Sequence, residues 1–185
     1  MKESIKKILL HICCATCAGY VIKKLQESRF NVTAFFYNPN IHPKSEYVRR
    51  LVDVKNYCLK NNINFIETGY NLDNWLEKIK GLENEPEGGK RCERCFEIRL
   101  SKTAELVENN NFDFFSTTLT ISPHKNAEVI NKIGKDLSDR FYVVDWKKQN
   151  GFKCACEIAK QEGFYKQSYC GCIFSFHHFL NSSGL

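Results

Sequence analysis

Short apolar runs alternate with amphipathic stretches along this chain, and the alternation limits the folds that are open to it. The apolar runs are rich in β-branched and aromatic residues, which favour strands. They predict five strands, over Lys7–Ile12, Val32–Tyr37, Ile63–Glu67, Phe112–Ser116 and Phe141–Asp145. Because helical patterns separate these runs, we expect an α/β fold with a mostly parallel, doubly wound sheet and helices on both of its faces.

The helical patterns consist of apolar residues at three- and four-residue spacings. They predict five helices, over Ala18–Gln26, Glu46–Lys60, Leu72–Lys80, Glu93–Val107 and Ala127–Leu137. A shorter helical stretch is predicted over Ala155–Gln161. In the second helix the spacing predicts one apolar face, formed by Val48, Leu51, Val52, Cys58 and Leu59.

Size and composition fit one ordinary globular domain. The chain has 185 residues, of which 43% are hydrophobic and 26% are charged. Single domains span about 100–200 residues, so we expect one α/β domain over residues 1–185. No run reaches the ~18 consecutive apolar residues that a membrane-spanning helix needs. The sequence therefore predicts a protein without a membrane segment.

Ten cysteines are many for a chain of this length. A secreted disulfide scaffold would need an export signal, but the apolar run Ile8–Ile12 is short, is interrupted by His11 and lacks a cleavage site. That run fits a buried strand better. We therefore expect a cytoplasmic protein with reduced thiols, in which clustered cysteines indicate metal binding or redox catalysis.

Two cysteine groups fall where strands lead into helices. Cys13, Cys14 and Cys17 follow the first strand, and Cys92 and Cys95 open the fourth helix. The helix dipole favours thiolates at such positions. Soft thiolate ligands suit both zinc and iron–sulfur clusters. The spacing leaves open a structural zinc site or a functional metal centre, and the surplus of sulfurs favours the functional centre.

A third group lies near the C-terminus, where Cys170 and Cys172 flank a glycine. A disulfide across one residue is strained and easily reduced, so this pair indicates a redox-active dithiol or two further metal ligands. The remaining cysteines predict no site. We interpret them as one core residue and two incidental thiols, which are Cys58, Cys154 and Cys156 respectively.

Four motifs in one order carry a resemblance to a known family. They are Cys13–Cys17, Arg91–Leu100, Thr117–Asn126 and Tyr165–Ser175. Together they closely resemble the QueH family of epoxyqueuosine reductases, over nearly the whole chain. The resemblance implies a Rossmann-like fold of the HUP type and a tRNA-modifying oxidoreductase. Such an enzyme removes the epoxide oxygen of epoxyqueuosine at the wobble position, which is the last step of queuosine biosynthesis.

The same resemblance implies a set of site residues. Four cysteines would hold a [4Fe–4S] cluster, namely Cys13, Cys14, Cys92 and Cys95. Cys17 could contribute to an additional mononuclear iron, and Cys170 with Cys172 would form the redox-active disulfide. The C-terminal segment that carries this last pair would pack over the site. The partners implied are tRNA carrying epoxyqueuosine and an external electron donor.

A modest basic excess agrees with an RNA partner. The formal net charge is +6, from 27 Lys and Arg against 21 Asp and Glu, and such charge can bind phosphates. The phosphate-contact candidates are Arg49, Arg50, Lys90, Arg91, Arg94, Arg99, Lys125, Lys147 and Lys148. Aromatic candidates for stacking anticodon bases are Phe36, Tyr37, Tyr165 and Tyr169.

Two other functions are consistent with parts of the sequence. A cluster-dependent tRNA thiolase combines a similar sheet with cysteines, but it needs a glycine-rich phosphate loop after the first strand. Here Cys13–Cys17 occupies that position and no glycine occurs before Gly19. A non-catalytic zinc module that binds RNA would be colourless, whereas a [4Fe–4S] protein is brown.

Overall fold

The computed structural model describes residues 5–183, and a four-stranded parallel sheet forms in that part of the chain. Its strands are β1 (Lys7–His11), β2 (Asn31–Phe36), β3 (Asn64–Glu67) and β4 (Phe114–Thr117). They lie in the order β3-β2-β1-β4, and each neighbouring pair is parallel. The first four predicted strands are therefore confirmed.

Helices connect these strands and follow the last one. They are α1 (Ala15–Glu27), α2 (Lys44–Lys60), α3 (Leu72–Lys78), α4 (Lys90–Asn109), α5 (Ala127–Leu137), α6 (Gly151–Glu162) and α7 (Ile173–Ser183). A short 3₁₀ helix covers Thr118–Ile121. The five main predicted helices are confirmed, α5 with the predicted bounds. Within residues 5–183, no helix has the length and apolar character needed to span a membrane.

The strand order places a crevice at one edge of the sheet. The chain runs from β1 outward through β2 to β3, and then returns to add β4 on the other side of β1. Right-handed crossovers put α1 and α2 on one face and α4 on the opposite face, where α4 packs on β1, β4 and α5. Ligands of such sheets bind where the strand order reverses, which is here the gap beyond β1 and β4. This confirms the Rossmann-like α/β architecture.

Burial along β1 follows from helices on both faces. Ile8, Leu9 and Leu10 are consecutive and completely buried. A strand with one solvated face would alternate apolar and polar residues, whereas a strand covered on both faces is apolar throughout. The apolar run therefore fixes β1 in the middle of the core, and its carboxyl end delivers Cys13 and Cys14 to the crevice.

The predicted fifth strand, over Phe141–Asp145, is wrong. Only a single bridge forms there, between Phe141 and Phe115. Beyond it, side-chain hydroxyls take the carbonyls that a strand would pair. Ser116 Oγ donates to Tyr142 O at 3.1 Å and Thr120 Oγ1 donates to Val144 O at 3.0 Å. Residues 141–145, although rich in apolar and β-branched side chains, therefore pack against the edge of the sheet and do not extend the sheet.

The predicted apolar face of α2 is confirmed only in part: Cys58 is buried and Leu51 packs against the core, but the other three residues are exposed. Val48, Val52 and Leu59 are 44%, 47% and 79% exposed. The face that packs on the protein contains Glu46, Tyr47, Arg50, Val54 and Cys58. Apolar periodicity fails here because two charged residues are buried together: Arg50 Nε donates to Glu46 Oε1 at 2.7 Å. A paired charge can occupy a core position that an unpaired one cannot.

Candidate functional site

Three sulfurs meet where β1 ends and α1 begins. The Sγ atoms of Cys13, Cys14 and Cys17 all lie within 4.8 Å of one another, and all three residues are buried. Cys14 is the residue that precedes α1, and Cys17 lies in its first turn. The three-residue spacing puts these two side chains on one face of the helix. This geometry, with three soft donors, is able to hold a metal ion or a metal cluster.

The neighbouring strand supports this group. His11 and Thr117 are partners in the β1–β4 ladder, so Thr118 is brought next to Cys13. The Cys13 backbone N–H donates to Thr118 Oγ1 at 3.4 Å, and the Cys13 Sγ lies 3.7 Å from the same oxygen. The first turn of α1 contains no acidic residue. The positive end of the helix dipole is therefore left to stabilise thiolates.

The three thiols titrate as one unit because they share hydrogen bonds. Hydrogen bonds from the Cys14 and Cys17 thiols hold the pKa of Cys13 well below its ordinary value. The hydrogen bond with Cys13 raises the pKa of Cys14 to about 12, and burial adds to the effect, whereas the bond with Cys17 lowers it. The bonds with Cys13 and Cys14 raise the pKa of Cys17. A bound metal would take all three as thiolates, since metal binding displaces their protons.

The other two cysteine groups line one cavity. Cys92, Cys95, Cys170 and Cys172 all face a space of about 240 Å³. Cys92 and Cys95 come from the first two turns of α4. Burial raises the pKa of Cys92, although the Gly88 N–H donates to its sulfur at 3.2 Å. Burial also raises the pKa of Cys95, to about 11.

A second, larger cavity of about 560 Å³ adjoins the first. Cys13 and Cys17 line it, together with Cys170. Five residues line both spaces, which are Glu87, Gly88, His124, Lys125 and Cys170. The fold thus brings the three cysteine groups to two adjoining cavities. In residues 5–183 the close sulfur group contains only the first three cysteines.

The segment with Cys170 and Cys172 is held over the sheet end by α2. Arg50 Nη1 donates to Cys170 O at 3.1 Å and Nη2 to Tyr169 O at 3.2 Å. The His42 N–H donates to Gly171 O at 2.6 Å. Gly171 has a φ of +123°, and an added Cβ would lie 3.1 Å from Arg50 Nη1. Only glycine suits this position.

Cys172 is placed at the start of α7. The Ser175 N–H donates to the Cys172 Sγ at 3.4 Å, and the Ser175 hydroxyl lies 3.3 Å from that sulfur. The same hydroxyl donates to Cys172 O at 2.9 Å. Cys170 and Cys172 are free thiols in this structure, as are the other eight cysteines. Both thiols of the pair are therefore ready to act as donors or ligands.

Comparison with known proteins gives the family. The family model described as "Epoxyqueuosine reductase QueH" matches residues 8–178, which is most of the chain. The chain belongs to the QueH family. An epoxyqueuosine reductase QueH of Acinetobacter baylyi is 42% identical over 180 residues, covering 95% of this chain and 83% of the relative. The corresponding protein of Thermotoga maritima is 34% identical, over 91% of this chain and 89% of the relative.

A solved structure shares the fold of this QueH protein. It is the U34-tRNA thiolase NcsA from Methanococcus maripaludis with its [4Fe-4S] cluster. The match has a TM-score of 0.60 and covers 98% of this chain and 68% of the thiolase chain. Sequence identity is 14%, so the likeness concerns the fold alone.

The basic residues of this QueH chain differ in how far they can reach a ligand. Lys148 is exposed, and Arg94 is exposed in an ion pair with Glu97. Lys125 is partly buried and lines both cavities. Arg91 is buried and donates to the carbonyls of Leu82, Glu83 and Glu85. These contacts indicate that Arg91 holds the loop before α4 in place, which argues against a contact between Arg91 and a phosphate.

Two more basic candidates are similarly engaged. Lys147 Nζ donates to Thr120 O at 3.0 Å and to Lys125 O at 3.3 Å, and it pairs with Asp145. Lys147 thereby ties the loop before α6 to Lys125, which lines both cavities. Arg50, which already anchors the C-terminal segment, is 2% exposed. Neither residue offers a free cation to an RNA backbone.

Sequence reasoning missed two polar residues that shape the site, His11 and Ser175. His11 Nε2 donates to Tyr37 O at 3.1 Å, and its Nδ1 accepts from the Thr117 hydroxyl at 2.9 Å. Burial and then the charge of Arg99 lower the pKa of His11 to about 4. This neutral ring fixes the carboxyl ends of β1 and β2 together, and a histidine inside an otherwise apolar strand was the available signal.

The thiols outside the three groups divide into two kinds. Cys58 is 1% exposed in the core, which confirms its interpretation as a core residue, and burial raises its pKa to about 12. Cys154 packs against the core from α6. Cys156 lines the larger cavity beside Cys13 and Cys17, a position that its sequence context did not indicate.

Proposed function

We propose that this protein reduces epoxyqueuosine to queuosine at the wobble position of tRNA, and that it uses an iron–sulfur cluster to do so. Membership of the QueH family carries the proposal, because the match spans residues 8–178 and close relatives bear the name epoxyqueuosine reductase. The thiolase alternative has support only from a shared fold. The first helix turn lacks the glycines that an ATP-dependent thiolase needs for phosphate binding.

The donor set fits iron–sulfur chemistry better than a zinc site. Three buried sulfurs lie within 4.8 Å of one another, and four more line the adjoining cavity. Structural zinc takes four ligands, so seven sulfurs exceed its need. We assign Cys13, Cys14, Cys92 and Cys95 to a [4Fe–4S] cluster and Cys17 to an additional iron. When bound, such a group supplies electrons singly and a Lewis acid for the epoxide oxygen.

We assign to the Cys170 and Cys172 thiols the supply of the two electrons that the reaction consumes. Removing the epoxide oxygen as water consumes two electrons and two protons and leaves a cyclopentene. Oxidising two thiols to a disulfide releases two electrons and two protons. Both thiols line a cavity with Cys92 and Cys95, so the reducing pair lies beside the proposed metal ligands. An external reductant must then restore the dithiol after each turnover.

The larger cavity is the proposed site of the modified nucleoside. Its volume of about 560 Å³ lies within the ~300–1,000 Å³ of ordinary ligand pockets. It is lined by Cys13, Cys17 and Cys170, by Lys125 and by the aromatic rings of Phe152 and Tyr169. An anticodon base can stack on such rings. A cationic side chain in the lining suits the phosphates that flank the base.

Replacement of Phe152 by alanine tests this assignment. Phe152 is 39% exposed at the start of α6, so its loss costs little stability. Stacking of a base on an aromatic ring contributes about 1–3 kcal/mol, so we expect kcat/KM to fall by roughly tenfold or more, mainly through KM. Phe152→Tyr retains activity, and Leu59→Ala, an exposed apolar position outside the cavity, has no effect. Equal kinetics for the Phe152→Ala and wild-type proteins would place the nucleoside elsewhere.

The decisive test of function uses the wild-type protein. Iron-reconstituted protein is incubated anaerobically with tRNA containing epoxyqueuosine and a reductant, and the nucleosides are analysed by mass. We expect loss of one oxygen atom to give queuosine. A colourless zinc protein that leaves epoxyqueuosine unchanged would refute the proposal.

Reduced thiols and a tRNA substrate also favour a cytoplasmic location. We further propose that one α/β domain carries the whole activity.

A further inference from the structure

Arg99 is a buried cation beside the cysteines. It lies one turn after Cys95 on α4 and is 3% exposed. Its side chain lines the cavity that Cys92, Cys95, Cys170 and Cys172 also line. A buried charge is costly unless an opposite charge compensates it. The question is therefore which group compensates Arg99.

No carboxylate in the described part of the chain is paired with Arg99. Among residues 5–183, the ion pairs do not include Arg99. Arg99 Nε donates to Cys95 O at 3.0 Å, and the guanidinium lies 5.6 Å from the Phe96 ring. The acceptor of this hydrogen bond is a main-chain carbonyl and not a carboxylate. By contrast, the equally buried Arg50 is paired with Glu46.

Two exposed carboxylates, Glu87 and Glu93, line the same cavity without forming an ion pair with Arg99, and the other acidic groups of that lining are cysteine thiols. Cys92, Cys95, Cys170 and Cys172 line the cavity with Arg99, and Arg99 Nε is bonded to the main chain of Cys95. Lys125 is a second cation at this place: it is partly buried and lines the same cavity, as well as the larger one beside Cys13 and Cys17. Both cations face sulfurs from the three cysteine groups. The arrangement has its balancing negative charge only when those sulfurs are deprotonated.

We propose that Arg99 is a positioning residue that acts as the counter-charge of the iron–sulfur centre and keeps its reduction potential high enough for turnover. The inference rests on the proposed cofactor. A cluster with four thiolate ligands is anionic, and accepting an electron adds further negative charge. A fixed cation in a low-dielectric site stabilises the reduced form more than the oxidised form. Arg99 therefore favours reduction without contacting the substrate.

Two substitutions of Arg99 distinguish the effect of its charge from the effect of its shape. Arg99→Met keeps much of the length of the side chain and removes the charge, whereas Arg99→Lys keeps the charge. Lys102→Met is the matched control, because it removes one positive charge from a solvent-accessible ion pair with Glu105 on the same helix. Each reconstituted protein is titrated anaerobically, and the reduced cluster is followed by its electron paramagnetic resonance signal.

We expect Arg99→Met to lower the ratio of reduced to oxidised cluster at least tenfold at a fixed potential, which corresponds to a downward shift of 59 mV for a one-electron couple. Arg99→Lys and Lys102→Met are expected to stay close to wild type. The proposal is overturned if Arg99→Met titrates like Lys102→Met. It is overturned equally if Arg99→Lys shifts the potential as far as Arg99→Met.

A second measurement covers the case in which Arg99→Met does not keep its cluster. Thermal unfolding is recorded for each protein with and without iron. Because the uncompensated cation is unfavourable in the iron-free protein, we expect Arg99→Met to stabilise that form or leave it unchanged, and to reduce the gain from iron loading. Cluster loss in both Arg99 variants would indicate a purely structural side chain and overturn the proposal. A wild-type protein that binds no cluster would instead refute the proposed cofactor.

Discussion

Replacement of Cys170 by alanine is expected to abolish reduction of epoxyqueuosine while iron remains bound, whereas replacement of Cys92 by alanine is expected to remove both iron and activity. The two residues line the same cavity, yet we assign them different tasks. Cys92 is a proposed metal ligand, and a missing ligand weakens binding of the whole group. Cys170 is half of the proposed dithiol, and a single thiol cannot supply two electrons by forming a disulfide within the chain.

The measurements are iron and sulfide content together with nucleoside analysis of the treated tRNA. Cys154→Ala is the matched control, because Cys154 is a partly buried thiol of α6 that packs against the core. We expect it to keep iron and activity. Full reduction of epoxyqueuosine by either test variant contradicts its assigned role. Loss of iron from Cys170→Ala would show that this residue is a ligand and not part of an electron-supplying pair.

Replacement of Arg50 by methionine is expected to lower the free energy of unfolding by about 3–5 kcal/mol, because it leaves the Glu46 carboxylate buried without its partner. Glu46 accepts from Arg50 Nε at 2.7 Å and from the Tyr165 hydroxyl at 3.0 Å. The substitution also removes the two donors that hold the carbonyls of Tyr169 and Cys170. The loss is measured by urea denaturation of the iron-free protein, with the slope of the transition recorded as well.

The adjacent Arg49 gives a matched control on the same helix. Arg49 is exposed and lies 3.7 Å from the Tyr165 ring centroid, so Arg49→Met should cost no more than about 1 kcal/mol. The double variant Glu46→Gln with Arg50→Met removes both charges and should recover part of the stability lost in Arg50→Met. Equal effects of Arg49→Met and Arg50→Met would show that the buried pair is not what holds the C-terminal segment.

The sequence predicted those parts of the fold that depend on local pattern. Four strands and the bounds of α5 followed from apolar periodicity, which the packing of a two-sided sheet preserves. The cysteine groups could be placed at strand ends for the same reason. Tertiary contacts overrode the pattern at α2, where pairing with Glu46 allowed Arg50 into the core. They did so again after β4, where hydroxyls took the carbonyls of the predicted fifth strand.

The parts of the site that were not predicted depend on partners distant in sequence. Arg50 contacts Tyr169 and Cys170 across 119 and 120 positions. His11 contacts Thr117 across 106 positions. A single sequence carries no periodic signal for such contacts. A charged residue in a helical pattern is ordinarily predicted to be exposed to solvent. The cysteine spacings indicated which residues carry the chemistry, and the tertiary structure was needed to find the residues that orient them.

The anchoring of the C-terminal thiols over the crevice has a consequence for biosynthesis. Cys13 and Cys172 are 159 positions apart, and ribosomes add roughly 5–20 residues per second. Cys13 is therefore synthesised roughly 8–30 s before Cys172. During that interval a nascent chain bears a trio of thiols with no lid above them. Insertion of the proposed iron centre into the finished pocket would accordingly follow translation, and protection of those early sulfurs from oxidants would depend on other components of the cell.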